Sequence, residues 1–338
     1  MSVLGFKGAF GLQKELTFAG TVTGSIIYDS IISHNPAGAN NYYRPDYIDN
    51  SFNQSDGVYG AYTFSGDLGG DCKASEFFGM VLQGVMGTST FTATVVAVSG
   101  TITEISHSVF TEAQTLDSYM GVYKIGDSDD AQNIKGITFN TFNVTASKDS
   151  AMTWTANYIA AYDELRTATA TVSLPAQDPF MFYQLTVTID GATDLNIEGI
   201  NFTINNNLEG LNYLEIDRKR AINAAERNGK VNLSLSIDTN YDTITTYREF
   251  WGSTTSSYAA EEGHRYSITI FASGFKYQAS PELRYRYKII LPSCEINSAP
   301  IPQSVGRVMQ TLDLTPVKSV GKDYAVQMEL WNLRTVTY

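Results

Sequence analysis

The chain is predicted to be mainly β, folded as two tandem β-sandwich or barrel-like units, each with one α-helix laid against its sheet. Three observations predict this. Short segments rich in Val, Thr, Tyr and Phe alternate apolar and polar positions between Gly, Pro and Asn turns. Only two stretches carry apolar residues at helical spacing. The tetrapeptide Glu76-Phe77-Phe78-Gly79 recurs 173 residues on as Glu249-Phe250-Trp251-Gly252.

The recurrence extends beyond four residues. At the same offset Val58 falls on Val231, Tyr62 on Leu235 and Phe64 on Ile237, and a turn pair precedes each run, Asp56-Gly57 and Asn228-Gly229. Upstream, Ser25 to Tyr28 is matched to Gly199 to Phe202, with a long polar loop leading to the turn pair in both halves. Agreement of pattern, turns and order predicts a duplication. The expected division is a first domain 1–172, a linker 173–181 around Pro175 and Pro179, and a second domain 182–338.

In chain order, residues 1–24 are small, apolar and Gly-spaced, and are expected to form an extended arm packing outside its own core. A strand over 25–33 precedes a loop over about 34–57, where Pro36, Pro45 and many Asn suggest no regular structure and Tyr42, Tyr43, Tyr47 and Phe52 suggest an interface. A strand over 58–66 leads to Asp71, the expected cap of a helix running to about Met86 with Phe77, Phe78, Val81, Leu82 and Val85 on one face. Strands are expected at 91–98, 101–110, 118–125, 134–146 and 151–162. The second half is expected to give strands 182–190, an Asp190-Gly191 turn and 196–206. A loop 207–229 follows with a short helical turn near 217–226, then strand 231–238, helix 242–252, and strands 264–272, 284–291, 307–317 and 323–335.

On strand 231–238, Val231, Leu233, Leu235 and Ile237 face one way and Asn232, Ser234, Ser236 and Asp238 the other. Strand 196–206 does the same, with Asn201, Thr203 and Asn205 opposite Ile200, Phe202 and Ile204. Neither polar face carries Lys or Arg.

Composition narrows the function. The net charge of −12 argues against binding a phosphate backbone by charge. The one basic cluster, Arg218-Lys219-Arg220, is thin and is expected to complement acidic loops such as 127–130 on another copy. Cys72 and Cys294 occupy non-equivalent positions and are expected to be free thiols of a reducing compartment. No signal peptide or membrane-length apolar run is seen, so the reading is a soluble protein made in the cytoplasm. His34, His107 and His264 lack metal-ligand spacing and are expected at the surface. The acidic run 127–130 lacks the Gly and the closing carboxylate of a calcium loop. No nucleophile elbow, phosphate loop, cofactor motif or metal site emerges, and no enzyme is predicted.

A family resemblance adds to this. The segments Leu195 to Glu209, Arg218 to Arg220, Asn228 to Asp238 and Tyr287 to Pro292 resemble the major tail (tail tube) proteins of long-tailed, non-contractile phages, and the opening Gly5 to Glu15 is similar to the way they begin. The resemblance implies a virion tail protein that assembles with itself into stacked rings, three two-domain chains imitating a hexamer. The inner wall would be a β-barrel with the helices outside, and DNA would pass without specific binding. The implied partners are further copies, a tape-measure protein, a tail terminator and tail-tip proteins, with no cofactor and no membrane. Asn201, Thr203, Asn205, Asn232, Ser234, Ser236 and Asp238 would then face the lumen. Tyr42, Tyr43, Tyr47, Phe52, Arg218, Lys219 and Arg220 would meet the next ring. The alternatives are a tip or decoration protein, or a carbohydrate-binding β-sandwich using its Tyr residues as sugar platforms.

Overall fold

The computed structural model describes residues 9–44, 56–98, 101–124, 131–166, 171–194, 196–212, 220–240, 265–278, 283–300 and 308–333. In chain order these give β1 (Ala9–Glu15), β2 (Val22–Asp29), β3 (Ser33–Tyr43), β4 (Val58–Asp71), α1 (Glu76–Met86), β5 (Gly87–Val98), β6 (Thr101–Glu112), β7 (Tyr119–Lys124), β8 (Ala131–Ser147), β9 (Thr153–Ala160) and β10 (Tyr162–Arg166). They continue with β11 (Leu185–Ile189), β12 (Ala192–Asp194), β13 (Ile197–Asn205), β14 (Leu208–Leu211), β15 (Ala224–Arg227), β16 (Asn232–Asn240), β17 (Arg265–Gln278), β18 (Leu283–Ser298), β19 (Met309–Pro316) and β20 (Gln327–Asn332). The chain is mainly β, as its alternating pattern predicts.

Both halves follow one pairing scheme. In the first, β1 pairs β2 and β7, β7 pairs β8, β8 pairs β10 and β9, and β9 pairs β4, which pairs β3. In the second, β11 pairs β12 and β17, β17 pairs β18, β18 pairs β20 and β19, and β19 pairs β16, which pairs β13. Every ladder is antiparallel. Along their length the long strands β8 and β18 each change partner, from β10 to β9 and from β20 to β19, and the ladder to the later partner shifts register, between Phe139 and Thr141 and between Ile296 and Ser298. A bulge of this kind bends the strand.

Two ladders join the halves. The end of β8 pairs β13 from Thr141↔Asn205 to Ser147↔Gly199, and β6 pairs β20 from Ser106↔Asn332 to Thr111↔Gln327. One core cluster accordingly spans both halves, including Phe10, Phe78, Phe142 and Trp154 from the first and Phe202, Leu235, Tyr287 and Leu330 from the second, and a smaller one joins Ala9, Tyr28, Met120, Val122 and Ala131. Helix α1 lies at its centre with every residue after Glu76 buried. Phe78 packs against Phe142 and Trp154 at ring-centroid distances of 6.5 and 6.1 Å, and edge-on against Tyr287 at 5.3 Å.

Several sequence expectations are corrected. From Ala9 the expected N-terminal arm is strand β1, with Phe10 and Leu12 fully buried in this chain's own core; scattered glycines concealed its alternation. The first part of the expected loop 34–57 is strand β3, in which Pro36 is tolerated because the strand lies at an edge. The counterpart of β13 is therefore β3, and the match of residues 25–28 to 199–202 does not hold, because β2 occupies the place of β12. Helix α1 is capped by Ser75, whose Oγ accepts from Phe78 N at 3.1 Å, because β4 runs on through Asp71. Residues 182–184 are a 3₁₀ turn, and β14 and β15 make a hairpin of the expected loop 207–229. Residues 171–179 of the linker region are irregular, but Phe180 is buried, its N–H donating to Cys72 O and its carbonyl accepting from Met152 N. The Asp190-Gly191 turn stands as read, both residues having positive φ. Cys72 and Cys294 are free and buried. The second tetrapeptide Glu249 to Gly252 and its expected helix lie outside the described residues.

Candidate functional site

The chemistry of the surface concentrates on one face of the sheet β3-β4-β9-β8-β13-β16-β19-β18. Because side chains alternate along each strand and antiparallel partners share a face, the ladders fix rows across the sheet. One row reads Asp71, Thr153, Thr145, Asn201, Ser236, Asp313. The next reads Gly69, Thr155, Asn143, Thr203, Ser234, and a third Asp67, Asn157, Thr141, Asn205, Asn232. A fourth contains Ser147, Gly199, Asp238 and Thr311. All seven polar residues singled out on β13 and β16 thus lie together, continuous with equivalent residues of the first half. None of the residues in these rows is Lys or Arg.

The opposite face explains the order. Phe142, Val144, Trp154, Ala156, Tyr158, Ile200, Phe202, Ile204, Leu233, Leu235, Ile237, Leu312 and Leu314 are all buried there. Alternation drives one face into the core and leaves the other to water.

The polar groups bond mainly to one another. Asn143 Nδ2 donates to Thr203 Oγ1 at 2.8 Å and to Asn201 Oδ1, while Thr145 Oγ1 donates to Asn143 Oδ1 at 2.8 Å. Thr311 Oγ1 donates to Asp238 Oδ1 at 2.7 Å, Asn157 Nδ2 to Asp67 Oδ1 at 3.1 Å, and Ser298 Oγ to Asp313 Oδ2 at 2.6 Å. The result is a wall of neutral amides and hydroxyls with a few aspartates. The residues of these rows present no cation to a phosphate and no apolar ledge to a base.

A family model for phage tail tube proteins matches residues 5–300. The chain belongs to the phage tail tube protein family. As a tail tube family member it is a structural component of a virion tail, a family that self-associates into a tube and works with other tail components. A search of curated proteins finds no match for it.

The other residues expected to act in this tail tube protein are placed unequally. Tyr42 and Tyr43 are exposed at the end of β3, Tyr42 against Tyr59 at 4.9 Å. Arg220 joins them within the same chain. Its guanidinium lies 4.6 Å from the Tyr59 ring centre, its Nε donates to Gly60 O at 2.9 Å and its Nη2 to Asn40 Oδ1. The pairing of Arg220 with acidic loop 127–130 of another copy was expected; here it holds the β3–β4 hairpin of its own chain. Tyr47, Phe52, Arg218, Lys219, residues 127–130 and His264 lie outside the described residues.

Two histidines correct the surface reading. His34 sits between Phe10 and Tyr123, each at 4.6 Å, with Nε2 2.9 Å from the Tyr158 hydroxyl. Burial lowers its pKa to about 4. His107 stacks flat on Trp331 at 4.2 Å and meets Glu329 at 3.1 Å. Neither the polar β3 nor the short β20 signalled these neighbours in sequence. Among the described residues no cluster of three or more His, Cys, Asp or Glu could hold a metal. An open cleft of about 1490 Å³ lies where the halves meet, lined in part by Glu15, Glu112, Arg227 and Lys230. Burial raises the pKa of both Glu15 and Glu112. A backbone N–H reaches each carboxylate, from Gly136 and Ala325.

Proposed function

We propose that three copies of this chain, each a tandem pair of tube domains covering about 1–172 and 182–338, close into pseudo-hexameric rings that stack as the tail tube and conduct DNA passively. The continuous polar face carries this reading, for it is what a duplex would slide past. Four strands from each half supply it, β3-β4-β9-β8 and β13-β16-β19-β18.

Three chains then give a barrel of about 24 strands; at roughly 4.8 Å spacing and about 40° tilt its circumference is on the order of 150 Å and its backbone diameter about 48 Å, wide enough for a duplex inside a side-chain lining. The charge of −12 per chain adds a repulsive background for phosphates. The hairpins β3–β4 and β14–β15 both continue past the same end of the polar sheet, where Ala39↔Thr63 and Asn205↔Asn232 lie. Their exposed Tyr42 and Tyr43 are suited to meet the next ring. Tape-measure, terminator and tip proteins are the partners such a tube requires.

Gel filtration followed by negative-stain imaging of the purified chain tests this. Rings or tubes with a central hole are expected. A persistent monomer at all salt and protein concentrations would overturn the proposal.

A further inference from the structure

The two halves leave two vacant strand positions, and the junction inside the chain shows what fills them. On one side of β8 run β10 and then β9; on the other run β7 to Ile137 and then β13 from Thr141. On one side of β18 run β20 and then β19, and on the other β17 as far as Glu295. Beyond Glu295 the place that β13 takes on β8 is empty among the described residues. The counterpart of β13 in the repeated scheme is β3. Among the described residues β3 pairs only β4, whereas β13 is held between β16 and β8.

We propose that the free edge of β3 is the docking site for a second copy of this chain, which lays the end of its β18, from Ile296 onward, antiparallel along it. This rests on the ring reading above and names the strands that make the ring.

The edge itself supports the assignment. Natural sheets guard open edges with charges and with proline, and of these guards β3 carries Pro36 alone. Over its length β3 carries no Asp, Glu, Lys or Arg. The open edge of β10, by contrast, carries Asp163, Glu164 and Arg166. Strand β5 is an uncharged edge too, but it lies off the polar sheet and has no counterpart in the second half among the described residues. The faces also agree. Ser33, Asn35, Ala37 and Ala39 of β3 lie opposite Gly69, Asp67, Ser65 and Thr63, on the polar side, and Ser298 of β18 is paired with Asp313 on that same side. Joining the two edges therefore continues polar face to polar face. The contact is head-to-tail, and such a contact closes a ring when its rotation permits.

Paired cysteines test it. Ser298→Cys is combined with Ala37→Cys or with Ala39→Cys in the full chain, where Cys72 and Cys294 are buried. On mild oxidation of the assembled protein, at least one pair is expected to give covalent oligomers up to the copy number of the ring, while each single variant stays monomeric on a denaturing gel. Ala39→Lys, which guards the exposed edge, is expected to reduce assembly at least tenfold with the monomer's circular dichroism unchanged. Rings or tubes that form without cross-linking in either pair would refute the edge assignment and leave the tube reading standing. Loss of all assembly by the unsubstituted protein would remove both.

Discussion

The two halves share a pairing scheme and differ in what is attached to it. After α1 the first half inserts the hairpin β5–β6, and β6 reaches across to β20 of the second half. Only 15 residues separate Glu249 from β17, against 42 between Glu76 and β7. The junction within the chain thus has two ladders, β8 with β13 and β6 with β20, whereas the proposed junction between chains has the inner one alone. Common to both halves is the polar sheet, which a conduit needs in every sector. Under the ring proposal, that difference separates the junction made in folding from the one made in assembly.

The largest expected effect sharpens that distinction. Phe78 belongs to α1 yet touches Tyr287 of the second half, so Phe78→Ala is expected to cost about 3–5 kcal/mol. It should destabilise the whole chain in one cooperative transition of chemical denaturation. Two transitions, with only the first shifted, would show the halves to be energetically separate.

Next comes pH. His34 has a folded pKa of about 4 against an ordinary 6.5. Its depressed value favours the native state above pH 6.5, and that contribution fades as pH falls from 6.5 toward 4, where the unfolded chain takes up a proton the native state refuses. The loss is expected to be on the order of 2–3 kcal/mol. Denaturation curves at pH 7 and 5 should show it, and His34→Phe should flatten the dependence. At the inward positions of β13, the counterpart of β3, the buried residues are Ile200, Phe202 and Ile204, none of which titrates.

A smaller effect concerns the helix cap. Ser75 Oγ accepts from Phe78 N and donates to Asp29 Oδ2 at 2.6 Å, so Ser75→Ala is expected to cost about 1–2 kcal/mol by thermal denaturation. The smallest is on the polar face. Ser234 is exposed there, and Ser234→Ala is expected to change monomer stability by less than about 0.5 kcal/mol.

Legibility in the sequence followed these energies. Strands β13 and β16 were readable because their period of two is strict, and the same alternation identified their polar residues before any neighbour was known. Strand β3 was not, because Asn35, Pro36, Gly38, Asn40 and Asn41 have weak strand preference, and pairing with β4 supplied what propensity did not. Asp71 was a plausible cap by type, but residues 64–71 were already committed to β9. The His34 pocket unites β1, β3, β7 and β9, a convergence that no local pattern encodes. The strand and helix of the run from Val58 to Met86 were legible from their alternation and helical spacing, whereas the place of β3 beside β4 emerged only from the ladders.

The central claim is that the face bearing Asn143, Asn201, Thr203 and Ser236 lines the tube. An image reconstruction of the assembled tube tests it most directly. The expected result is a barrel whose inner wall is formed by β3-β4-β9-β8-β13-β16-β19-β18, with those four side chains pointing into the lumen and α1 outside. A tube with α1 toward the channel, or with that face buried between rings, would contradict it.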